Sequence, residues 1–128
     1  MTLPPQLISS PDDARLLLAP LFEAATAEKI AVLHLDAERR SLAVREYPGG
    51  IDNAELPLRQ IVEEALRLGT ASLIVAHNHP SGEPHPSAED LRVSRLLADT
   101  ARNLGIRLID HFIFAGKDVR SLRDLGLL

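Results

Sequence analysis

Cysteine is absent from the 128 residues, which excludes disulfides, thiolate metal ligands and cysteine nucleophiles together, and leaves nitrogen and oxygen as the only donors for any metal. Tryptophan is absent too, and aromatics make up 3% of the chain, so the core has to be built from Leu, Ile, Val and Ala with Phe22, Phe112 and Phe114 as its large rings. The same scarcity bears on partners. Single-strand nucleic-acid binders stack bases on aromatic platforms and follow phosphates with basic grooves, whereas this chain carries 14 Lys and Arg against 18 Asp and Glu, for a net charge of −4. Nucleic acid is therefore disfavoured as a partner, or bound only weakly. No apolar run approaches the roughly 20 residues needed to span a bilayer. The start Met1-Thr2-Leu3-Pro4-Pro5 lacks the basic and apolar regions of a signal peptide, so no membrane partner and a cytoplasmic location are expected.

What is present suits one domain over residues 1–128, because 45% hydrophobic residues are enough to bury a core. Ser10-Pro11-Asp12-Asp13 reads as a helix start, with Ser as N-cap, Pro in the first turn and acids at the positive end of the helix dipole. Pro20 should end or kink that helix near Ala19, with one loose turn continuing through Ala25. The run Ile30 to Leu35 reads as a buried strand, joined through residues 36–40 to a second strand from Ser41 to Tyr47 in a hairpin. After a Pro48-Gly49-Gly50 loop, Leu58, Ile61, Val62, Ala65 and Leu66 recur at helical spacing until Gly69. Ala71 to Ala76 is a continuous apolar strand with His77 at its exit, followed by a Pro- and Gly-rich loop from Pro80 to Pro86 and a third helix from Ser87 to Gly105. A strand from Ile106 to Phe114, a Gly116-Lys117-Asp118 turn and a short strand from Val119 to Leu122 complete the pattern. Strands and helices alternate, hairpin and helical connections both occur, and the expected fold class is α/β with helices packed on a mixed sheet.

Chemistry concentrates in His77-Asn78-His79 and Ser87-Ala88-Glu89-Asp90, a spacing of H-x-H-x(7)-S-x(2)-D. Two histidines at i and i+2 where a strand ends put both rings on one side of the backbone, and a helix start brings Asp90 in as a third ligand. Three ligands leave a coordination position open for water. Structural zinc sites are closed by four protein groups, so this set points to a hydrolytic metal site. Ser87-x-x-Asp90 also matches a capping box, a purely stabilising use of the same residues, and the two roles are compatible.

With this motif, and with His77-Asn78-His79-Pro80-Ser81-Gly82 in particular, the chain resembles a JAB/MPN domain carrying the JAMM metalloprotease motif, in its bacterial RadC-like branch; the likeness covers roughly residues 10–121. The resemblance implies a curved mixed sheet flanked by helices, the JAB/MPN fold of cytidine-deaminase-like architecture. It implies Zn²⁺ held by His77, His79 and Asp90, and cleavage of a peptide or isopeptide bond in an extended peptide or protein tail. It places a catalytic Glu at the entry of the first strand, which Glu28 matches, as the base that takes a proton from water. Alternation sets Glu28 on the face of Ile30, Val32 and His34, where a carboxylate borders the core unless it faces a cleft. The family gives Ser87 the task of hydrogen-bonding the developing oxyanion or the attacking water. An Asp-His pair is common in RadC-like chains where Asp110-His111 stands, which gives His111 a possible role in orienting a ligand.

Other histidines fit plainer roles: His34 as a hydrogen-bonded interior residue and His85 as a solvated loop residue. Asn78 and Ser81 suit loop stabilisation, or the shaping of a substrate groove. Against the RadC-like pattern, Pro57-Leu58-Arg59 stands where many such chains carry His-Pro before the Arg, and the helix-hairpin-helix region that precedes the domain in many longer ones is not expected among these residues. The stretch from Asp52 to Pro57 is too short for the insertions with which deubiquitinating relatives grip ubiquitin, so substrate choice stays open. Two further classes stay open as well: a DNA-repair-associated accessory module, and an MPN scaffold without turnover. Sheet edges also leave room for a homodimer.

Overall fold

The computed structural model describes residues 5–49 and 57–128. The expectations for the Gly50 loop and for most of the Asp52–Pro57 stretch lie outside the described residues, as does most of the N-terminal segment read against a signal peptide. Helix α1 (Pro11–Leu18) starts as its sequence requires: Ser10 Oγ accepts the Asp13 N–H, and Asp13 accepts the Ser10 N–H in return. Pro20 cannot continue an α-helical ladder, and the chain leaves α1 through a short 3-10 turn at Ala19–Leu21. Strands β1 (Lys29–Leu35) and β2 (Ser41–Pro48) form the expected antiparallel hairpin. Helix α2 (Leu58–Leu68) ends at Gly69, whose φ of 71° is left-handed backbone that a glycine adopts without strain. Strand β3 (Ser72–Asn78), helix α3 (Ala88–Asn103), strand β4 (Arg107–Ala115) and the short β5 (Asp118–Ser121) follow.

The five strands form one mixed sheet in the order β2-β1-β3-β4-β5, with β3 and β4 parallel and the other pairs antiparallel. Central β3 is buried at all seven positions, because α1 covers one face and α2 and α3 the other; this is why its sequence is a continuous apolar run and not an alternating one. On the α1 face Ala31, Leu33, Ile74, Ala76, Phe112 and Phe114 pack with Leu18 and Phe22. On the opposite face Ile30, Val32, Leu73 and Val75 pack with Ile61 and Ala65 of α2 and Val93, Leu97 and Ala101 of α3.

Two local differences from the sequence pattern matter for the site. β3 runs on through His77 and Asn78, because His77 has backbone neighbours on both sides, Ile30 in β1 and Ile113 in β4. Polar side chains do not end a strand whose peptide groups are paired in both directions. The register of β3 against β4 also shifts after Leu73, where Leu73 faces Leu108 and Ile74 faces Asp110. The extra residue, Ile109, is a bulge that sets which of Asp110 and His111 faces α3.

Candidate metal centre

His77 lies on the α3 face of β3, two residues after Val75. The chain then turns at once: the His79 N–H donates to Phe114 O across 2.9 Å, and the Gly82 N–H donates to His79 O across 3.0 Å with Gly82 at φ 84°. That turn aims the His79 ring back at His77, with its Nδ1 2.7 Å from Glu83 O. Ser87 caps α3, accepting the Asp90 N–H at Oγ across 2.9 Å, while Asp90 Oδ2 accepts the Ser87 N–H across 2.9 Å. The capping box therefore exists, and it orients the carboxylate by one of its oxygens.

His77, His79 and Asp90 come together as a group able to hold a metal ion. His77 Nε2 stands 3.0 Å from His79 Nε2 and 3.3 Å from Asp90 Oδ1, and His79 Nε2 stands 3.2 Å from Asp90 Oδ2. Each imidazole thus approaches a different oxygen of Asp90, and with one donor atom taken from each residue the three lie within 4.8 Å of one another, close enough to share one ion. Asp90 Oδ1 is buried with no hydrogen-bond partner among the described residues; its approach to His77 has the distance of an ion pair without hydrogen-bonding angles. A buried carboxylate oxygen left without a hydrogen bond beside the His77 imidazole is what a cation would satisfy. Burial opposes ionisation of Asp90, but His77, the Ser87 N–H and His79 outweigh it and hold the carboxyl well below the usual carboxylate range. His77 and Asp90 are sealed, whereas the His79 side chain is 12% exposed, so access runs past His79. There a cleft of about 440 Å³ opens, floored by Phe22 and Phe114 and rimmed by Arg15 and Lys117.

Glu28 stands just before β1, half-buried, its carbonyl accepting the Gly49 N–H across 3.1 Å. The β1–β3 ladder ends at Ile30–His77, two residues after Glu28, and Glu28 lines a surface depression with Thr26, Lys29, Glu46 and Tyr47, separate from the cleft beside His79. Beyond that rung a side chain replaces the ladder: Asn78 Oδ1 accepts the Lys29 N–H across 2.8 Å, and Asn78 Nδ2 donates to Ala27 O across 3.1 Å. The buried Asn78 amide thus clamps the residues on either side of Glu28, a more specific task than loop stabilisation.

The Asp110-His111 pair divides across the sheet. His111 faces the site, its Nε2 2.6 Å from His77 Nδ1 and its Nδ1 against Ser94 Oγ. Burial pushes the His111 imidazole well below its ordinary 6.5. Asp110 turns the other way and ties down the C-terminal turn, accepting the Ser121 hydroxyl across 2.5 Å and the Arg123 N–H across 3.1 Å. Ser94 was not singled out from the sequence, yet a signal exists: it follows Asp90 by four residues, so a helix that presents one to the site presents the other. His34 is interior, 2.9 Å from Thr70 Oγ1, and His85 is an exposed loop residue beside Glu83. Among the described residues no helix is long and apolar enough to cross a membrane.

The sequence model of the RadC-like JAB domain matches residues 8–127. A UPF0758 protein of Acidithiobacillus ferrooxidans is 41% identical over 120 residues, 93% of this chain and 54% of that protein. Homologues of the same name from Xanthomonas oryzae pv. oryzae and Chloroflexus aurantiacus are 37% and 36% identical, over 96% and 94% of this chain and 55% and 53% of theirs. The chain thus spans about half the length of the curated relatives it matches. With the mixed sheet and the His-His-Asp cluster already in place, a match running from Ile8 to Leu127 settles the kinship: the chain belongs to the RadC-like JAB domain family.

Proposed function

We propose that this domain is a zinc-dependent metallohydrolase that cleaves peptide or isopeptide bonds in an extended segment of a peptide or protein tail. The observation that carries the proposal is the cluster of His77, His79 and Asp90, whose donor atoms can share one ion, with one buried carboxylate oxygen lacking a hydrogen bond among the described residues and the His79 ring partly exposed to a cleft. An ion held there supplies Lewis acidity, polarising a carbonyl and making water a competent nucleophile near neutral pH. Glu28, clamped at its flanks by Asn78, takes the proton from the attacking water and returns it to the leaving amine as the C–N bond breaks. The products are a carboxylate and an amine. The Ser87 hydroxyl accepts from the Asp90 N–H and carries a proton that it can donate to the oxyanion. The cleft beside His79, open and apolar-floored, suits an extended chain better than a folded surface.

The test is Glu28→Gln, which removes the proton acceptor at nearly constant size. Both proteins, zinc-loaded, are assayed on a mixed fluorogenic peptide library and on a lysine-linked isopeptide reporter. Turnover by wild type and its loss in the variant at equal zinc content supports the reading. Full turnover in the variant assigns the base elsewhere, and loss of zinc makes Glu28 a ligand.

A further inference from the structure

The protons on His77 and His79 have to leave both Nε2 atoms bare for a metal, and the two rings achieve this by different means. His79 is fixed locally: its Nδ1 faces the Glu83 carbonyl, which can only accept, so Nδ1 carries a proton, and Nε2, 3.2 Å from Asp90 Oδ2, is the nitrogen left to offer its lone pair to a metal. His77 has no such anchor, because its Nδ1 partner is another imidazole, His111 Nε2, which is able to donate or accept. The protons of the whole chain, Ser94 to His111 to His77, can therefore run in either of two directions. With protons running toward the site, His111 donates to His77 Nδ1, His77 Nε2 is protonated and points at His79 Nε2 3.0 Å away, and the ligand is blocked. With protons running away from it, His77 Nδ1–H donates to His111, His111 Nδ1–H donates to Ser94 Oγ, and both Nε2 lone pairs face the same point.

We infer that His111 and Ser94 are positioning residues that hold His77 in the metal-binding tautomer, with Ser94 Oγ as the terminal acceptor of a buried relay. The inference rests on the metal-centre reading above. All three members are buried, so no water substitutes for a missing partner inside the chain. Their placement follows from the fold. His111 sits beside Val75 in the β3–β4 register, one strand over from His77, and Ser94 lies one turn after Asp90 on α3. The helix that supplies the carboxylate ligand thus also supplies the group that ends the relay, so a shift of α3 disturbs two ligands together. The arrangement explains why a polar serine and a second histidine occupy interior positions next to apolar Val93 and Leu97.

The experiment measures zinc affinity by chelator competition for wild type, His111→Phe, His111→Gln and Ser94→Ala, each checked for cooperative unfolding in its metal-free form. Phe keeps a ring but cannot accept from His77, whereas the Gln carbonyl reaches about where Nε2 stood. His111→Phe should weaken zinc about 10–100-fold, the usual effect of losing a partner behind a ligating histidine, Gln should recover most of that, and Ser94→Ala should fall between. In the zinc-loaded wild type, long-range ¹H–¹⁵N spectra should show His77 protonated at Nδ1. Wild-type affinity in His111→Phe, or equal losses for Phe and Gln, would reduce His111 to packing and overturn the relay while leaving the metal centre intact. A wild type that binds no zinc would sink the metal reading, and this inference with it.

Discussion

Replacing Asn78 by Ala tests whether the approach to β1 is held by a side chain. The carboxamide bridges Lys29 N at 2.8 Å and Ala27 O at 3.1 Å, and no backbone rung takes over beyond Ile30–His77. Each hydrogen bond contributes about 1 kcal/mol net, and leaving its partner buried and unpaired costs more. Lys29 is half-buried at the strand entry, where water relieves part of that cost, so the sum is about 2 kcal/mol. For a domain of this size that lowers Tm by roughly 6–10 °C. Asn78→Asp should lose at least as much, because it keeps an acceptor for Lys29 but sets an anion against the Ala27 carbonyl. Urea unfolding of the metal-free proteins gives the free energy, and amide exchange at Lys29 locates it. Zinc content should not change, since no ligand is touched, while hydrolysis should fall as Glu28 loses its fixed flanks. A loss under about 0.5 kcal/mol, with Lys29 exchanging at the wild-type rate, would refute the clamp.

Other consequences are checked more simply. Burial pushes His34 down from its ordinary 6.5 to about 4, against a smaller opposing pull from Glu64. A base whose folded pKa is depressed binds its proton first in the unfolded chain, so its contribution is intact above pH 6.5 and is lost as pH falls toward 4, by up to about 1.4 kcal/mol per pH unit. Denaturation of His34→Leu across that window should show a slope shallower by as much as one proton; an unchanged slope would mean that His34 is not the titrating group. Ser87→Ala should cost about 1 kcal/mol of cap energy. It should also lower kcat by about 10²–10³ if the hydroxyl serves the oxyanion, with zinc retained because the Ser87 N–H still holds Asp90; a normal kcat would leave Ser87 as a cap only. Duplex and single-stranded DNA should bind at micromolar Kd or weaker at physiological salt, since Arg92 and Arg102 on α3 are paired with Glu89 and Asp99. Submicromolar affinity in a titration would favour the nucleic-acid accessory reading.

The parts of the fold that are local were legible in the sequence. The Ser10 and Ser87 caps, the break at Pro20 and the stop at Gly69 depend on residues a few positions apart, and spacing alone gathered His77, His79 and Asp90. What escaped depends on contacts between distant segments. The second half of the Asn78 amide is used 51 residues away at Ala27, and Ser94 meets His111 only because α3 packs over β4. The division of labour between Asp110 and His111 turns on the bulge at Ile109, a register shift that no side-chain pattern announces. Adjacent residues on one strand were read as a pair, and the alternation of strand faces separates them.

The central claim is tested most directly by the metal content of purified protein, wild type beside His79→Ala. His79 supplies one of the three donor atoms, and its ring is the most exposed of the set, so its removal spares the core. Elemental analysis should find close to one zinc per wild-type chain and only background in the variant. Equal trace metal in the two would contradict the account.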